Sequence, residues 1–215
     1  MLGRPNAGCG GVSVAGRPAA AHAVSLLRPV LGLVVLFGLS PHVQTPAFLA
    51  VVLVAAGSDY IDGILARRAG TATASGRIVD NLCDFLFLLC IFSYAAEARI
   101  WSPPVWGRAA RYWSEANWLP VGALLASFGL YFFRLCRAVR AGREPQRSSR
   151  GHAAGISNYL LAIMAGLEQV PGVNLGPWLL EPAMLSVVLV NLAAVAENLR
   201  LLMFHQPADG PTMPA

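Results

Sequence analysis

Six apolar stretches follow one another along this chain, each close to the length that carries a helix through a bilayer. About 20 mostly apolar residues are needed to cross a hydrocarbon core of about 30 Å. The stretches run from Val24 to Leu39, Pro46 to Ala66, Ile78 to Ala96, Trp118 to Phe133, Ala153 to Val170 and Trp178 to Phe204. They predict an all-α fold, a polytopic membrane helical bundle of six transmembrane helices. The composition agrees: 56% of residues are hydrophobic and 13% charged, which is not the balance of a water-facing domain. The formal charge of +5 does not point to nucleic acid, because the basic residues lie between hydrophobic runs. Cys9, Cys83, Cys90 and Cys136 have no paired spacing, so they read as small apolar residues and not as a disulfide framework or a zinc site.

Arginine placement orients the bundle. All 16 basic residues are Arg, a bias that hints at a GC-rich genome. With both termini on the cytoplasmic side, Arg4, Arg17, Arg67, Arg68, Arg77, Arg200 and the cluster from Arg134 to Arg150 lie inside, and only Arg99, Arg108 and Arg111 lie outside. Trp101, Trp106, Trp113 and Trp118 crowd the outer connection, as an interfacial belt would. The first stretch reads as a span and not as a cleaved leader, since no small-x-small site follows Leu39 and Arg28-Pro29 interrupts it. Residues 1–19 and 206–215 are expected to be disordered tails, the first of them cytoplasmic, flanking one transmembrane domain over 20–205.

Four of the five aspartates, Asp59, Asp62, Asp80 and Asp84, straddle the end of the second stretch and the start of the third. A carboxylate at membrane depth costs about 2.5–3.5 kcal/mol, so four together need compensation. Asp59 and Asp62 are three residues apart and Asp80 and Asp84 four, which puts each pair on one helix face. Hard oxygen donors without His or Cys suit Mg²⁺ or Mn²⁺, and four carboxylates suffice to bridge two ions of the kind that clamp pyrophosphate oxygens. Gly63, Ala66 and Gly76 flank the acidic faces; they leave room for a ligand or let helices pack closely. Arg67 and Arg68 stand where a guanidinium could grip a phosphate.

The run from Gly57 to Asp84 fits the pattern DxxDGxxARx8GxxxDxxxD without a gap. In this it resembles the CDP-alcohol phosphatidyltransferase family. The resemblance implies a membrane enzyme of phospholipid biosynthesis that moves a phosphatidyl group from CDP-diacylglycerol to a small alcohol and releases CMP. It further implies that Asp59, Asp62, Asp80 and Asp84 hold the metal pair and that Asp84 is also the base for the acceptor hydroxyl. By the same resemblance Gly63, Ala66, Arg67 and Gly76 line the cytidine nucleotide site, and the protein is a homodimer. The expected setting is a bacterial inner (cytoplasmic) membrane, with the active site facing the cytoplasm.

Other polar residues have two readings each. Arg134, Arg137 and Arg140 form a stripe that serves retention and anionic lipid contact, or, through Arg134 or Arg150, binds a phosphate on the acceptor. His152, Ser157 and Asn158 satisfy a helix end or face the acceptor pocket; Glu197 and Asn198 form an interfacial pair or cap. Arg28 snorkels to the interface or pairs with a carboxylate of the site. Two other functions compete: a CDP-aminoalcohol phosphotransferase using diacylglycerol, and an ion-coupled or metal transporter, against which stands the absence of a duplicated half. The acceptor is open. Asp80 and Asp84 are separated by NLC and followed by Phe85, unlike the DPxADK run of glycerophosphate-using members, so glycerol 3-phosphate leads only by prevalence over inositol or its phosphate, serine and choline.

Overall fold

The computed structural model describes residues 17–69, 74–101, 115–141 and 148–204; within these, only the backbone is described for 17–24, 59–60, 62–69, 74–75, 77, 177 and 204. Among the described residues there are six helices and no strand: α1 Arg17–Gly38, α2 Pro46–Ala69, α3 Ala74–Glu97, α4 Leu119–Arg140, α5 Ser149–Glu168 and α6 Pro177–Phe204. Each predicted apolar stretch falls within or nearly within one of them. Three contain segments long and apolar enough to cross a membrane, Ile78–Glu97, Leu119–Arg140 and Trp178–Met203; Ser25–Gly38 and Pro46–Ser58 are shorter apolar segments. An integral membrane protein follows from those three.

The helices pack as a closed ring in the order α1, α2, α5, α6, α4, α3, with α3 and α5 also touching across it. Small residues set the closest approaches. A Cβ on Gly32 of α1 would lie 3.0 Å from the Cβ of Cys90 and 3.2 Å from the Cα of Phe87 on α3. A Cβ on Gly166 of α5 would lie 3.0 Å from the Cα of Leu49 on α2. Without these glycines the backbones could not come so near, which is how helices gain dispersion contact where lipid offers no hydrophobic drive. The apolar core centres on α3, where Phe87, Ile91, Phe92 and Ala95 are all fully buried with Val35, Phe48 and Val52. Cys83 and Cys90 are buried free thiols within it or at its edge.

Trp101 departs from the expected belt. It is 2% exposed and meets the ring of Phe92 edge-on, with centroids 5.7 Å apart, so it closes one end of the core instead of facing the interface. Trp118 is half exposed, as a belt residue would be, and Trp106 and Trp113 lie outside the described residues.

Polar residues inside the α4–α5–α6 half satisfy one another. The Ser127 hydroxyl donates to Asn191 Oδ1 (2.7 Å), and Asn191 Nδ2 donates to Asn158 Oδ1 (2.8 Å) and to the Val187 carbonyl (2.9 Å). All three side chains are buried. A buried amide costs little only when its groups are bonded, and here one neutral knot ties three helices.

Candidate functional site

α3 carries the two later aspartates one helical turn apart, on the face turned toward α1 and α5. That face is set by Gly32, which brings α1 against α3, and by the apolar residues Phe87 and Ile91 that continue the helix into the core. α1 contributes the side chain that decides the electrostatics. Arg28 is 0% exposed and the largest of the fully buried residues. Its Nη2 donates to Asp80 Oδ1 at 3.0 Å and its Nη1 to Asp84 Oδ1. Of the two readings of Arg28, pairing with a carboxylate is therefore the one the fold adopts. No acidic residue occurs in α1 itself, so the counter-charge comes from across the helix interface.

Two hydroxyls reinforce the same oxygens. Ser25, one turn before Arg28, donates to Asp80 Oδ1 (3.0 Å), and Tyr159 of α5 donates to Asp84 Oδ1 (2.8 Å). The Tyr159 ring stacks near that of Phe87, centroids 6.2 Å apart. Both carboxylates are thus gripped by fixed donors, yet their side chains keep 38% and 23% exposure. They are ordered and still reachable.

A second polar line approaches from α4. Asn81 Nδ2 donates to the Tyr131 hydroxyl (2.9 Å), and the Arg134 guanidinium stands 6.0 Å from the Tyr131 ring centre. Arg134 is 9% exposed. Arg150, by contrast, is exposed, and its backbone N–H donates to Glu197 Oε2 (3.1 Å), which also accepts from the Ser148 hydroxyl (2.7 Å). Ser148 in turn caps α5 by accepting from Gly151 N. Glu197 is therefore a cap supplied by a neighbouring helix. His152 is exposed, Ser157 bonds back to the Ala154 carbonyl (2.9 Å), and Asn158 belongs to the neutral knot.

Asp59, Asp62, Gly63, Ala66 and Arg67 lie on the last turns of α2, and their side chains fall outside the described residues. Gly76 lies in the first turn of α3, one turn before Asp80. Among the described residues α2 and α3 do not pack extensively on each other; α1 lies against both. Among the described residues no three His, Cys, Asp or Glu gather at metal-binding distance. The described donor set is nonetheless of one kind: carboxylate oxygens, pinned in orientation and open on one side, which suits a hard divalent cation.

Ser25, Tyr159 and the Asn81–Tyr131 pair were not legible as site residues. A hydroxyl in an apolar span gives no periodic signal of its own. Arg28 and Arg134 announced themselves, the first as a charge in the middle of a hydrophobic run and the second at the end of one.

The family model described as CDP-alcohol phosphatidyltransferase matches residues 19–196. No curated protein and no solved structure matches the chain.

Proposed function

Because the chain belongs to the CDP-alcohol phosphatidyltransferase family, a family of enzymes using a CDP-alcohol and an alcohol acceptor, we propose that it transfers the phosphatidyl group of CDP-diacylglycerol to a small alcohol. The acceptor oxygen forms a new bond to the phosphatidyl phosphorus as the bond from that phosphorus to the CMP phosphate oxygen breaks. The acceptor proton passes to Asp84, and CMP leaves. The observation that carries this reading is the held but reachable pair Asp80 and Asp84, gripped through Oδ1 by Arg28, Ser25 and Tyr159. Fixed dipoles around a reacting carboxylate need no reorganisation when charge moves.

Asp59, Asp62, Asp80 and Asp84 would hold two Mg²⁺ or Mn²⁺ ions, which supply charge neutralisation for the pyrophosphate and a better leaving group. Gly63, Ala66, Arg67 and Gly76 would line the nucleotide site. The protein would work as a homodimer with six transmembrane helices in a bacterial cytoplasmic membrane, its site opening to the cytoplasm; of the expected tails at 1–19 and 206–215, residues 17–19 belong to α1 and the others lie outside the described residues. Arg134, buried and linked through Tyr131 to Asn81 beside Asp80, is the better placed of the two arginines to meet a phosphate on the acceptor. Glycerol 3-phosphate, inositol or its phosphate, and serine are the acceptors to test.

Membranes containing the protein, given labelled CDP-diacylglycerol, Mn²⁺ and each alcohol in turn, should release CMP with one of them, and strong chelator should abolish that release. Release of CMP undiminished in chelator would overturn the metal assignment, and metal transport without CMP release would favour the carrier. Turnover of CDP-aminoalcohol with diacylglycerol instead would redirect the substrate assignment.

A further inference from the structure

We propose that Arg28 is a built-in counter-ion of the aspartate site, which orders Asp80 and Asp84 while loosening their hold on divalent metal. The inference rests on the metal-dependent reading above and concerns what one helix outside the aspartate motif adds to it. Arg28 cannot lose its proton, and at 0% exposure it has no route to solvent. Its guanidinium spans two carboxylates one turn apart, taking Oδ1 of each. A cation arriving at the same carboxylates therefore shares them with a positive charge that stays in place.

Two effects follow and they oppose each other. Fixing the carboxylate rotamers favours metal, because ordering has been done in advance. The neighbouring charge disfavours it, and Coulomb repulsion scales with the product of charges, so a dication feels it twofold. The repulsion dominates, since only two short side chains gain order while an entire unit charge stays within contact of the shared ligands. Ser25 and Tyr159, which bond the same Oδ1 atoms without charge, would keep most of the order if the arginine were removed.

The test is a Mn²⁺ titration of the purified full-length protein in detergent, following free Mn²⁺ by its electron paramagnetic resonance signal. Arg28→Gln should bind Mn²⁺ at a half-saturation about tenfold lower than wild type, and Arg28→Lys within about threefold of it. At saturating metal Arg28→Gln should still release CMP more slowly than wild type, because the carboxylates are less well aimed. An unchanged or raised half-saturation in Arg28→Gln would show that the arginine only packs and orders, and would overturn the proposal. Should Arg28→Gln not fold in chelator, Mn²⁺ added during purification should rescue it, and Arg28→Gln/Asp80→Asn, which restores the net charge, should fold in its absence. Failure of both rescues also overturns it. Absence of Mn²⁺ binding by the wild type would sink the metal reading itself, a result distinct from altered behaviour of the variants.

Discussion

Two polar regions lie within this bundle and are built on opposite terms. The knot of Ser127, Asn158 and Asn191 is neutral, buried and internally bonded. The group of Arg28, Asp80 and Asp84 is charged, closed on the arginine side and open on the carboxylate side. In a hydrophobic setting the neutral arrangement holds helices at modest cost, whereas a charged one is expensive even when paired. Retaining the expensive arrangement beside the cheap one supports the proposal that the α1–α3 region is where chemistry is done.

That contrast breaks most sharply at Asp84. Asp84→Asn should lower CMP release about a thousandfold, the scale for losing a general base, and also lower the melting midpoint, because buried Arg28 then keeps Asp80 but loses a counter-charge. Rapid turnover by this variant would move the base elsewhere. The knot should respond in stability alone. Asn191→Leu strands Asn158 and Ser127 and should cost about 2 kcal/mol of stability by thermal denaturation in detergent, while the Michaelis constant for the CDP-lipid stays unchanged. Replacing all three knot residues together with apolar ones should cost less than that single change, because no polar group is left alone. The smallest effect sharpens the comparison at its boundary. Tyr159→Phe removes one hydrogen bond to Asp84 Oδ1 and should reduce kcat about tenfold, roughly 1.4 kcal/mol, at constant KM. An unchanged kcat would assign the hydroxyl to packing.

Helix positions were largely legible in the sequence, since apolar length reports membrane depth directly. α2 begins at Pro46 and α6 ends at Phe204, as the apolar stretches do. The misses share a cause. α4 runs on to Arg140, beyond the expected Phe133, and α3 starts at Ala74, ahead of Ile78, because a helix can continue into the interface on arginine and small residues after the apolar signal has stopped. In the site, the aspartate spacing was readable because it is local to one helix. Which helix supplies the counter-charge was not, because that depends on α1 lying against α3 through Gly32, a contact between residues far apart in the chain. Trp101 was misread for the same reason: an aromatic near a span end looks interfacial until its neighbour Phe92 is seen.

Consecutive residues of α5 serve the two regions, Asn158 bonding Asn191 and Tyr159 bonding Asp84. One residue step turns a helix by about 100°, so α5 is a spindle whose azimuth is read on two sides at one depth. Any roll that swung the phenol away from its carboxylate would have to tear the paired amides behind it, and the aim of the tyrosine is therefore kept by buried amides on the other side of the helix.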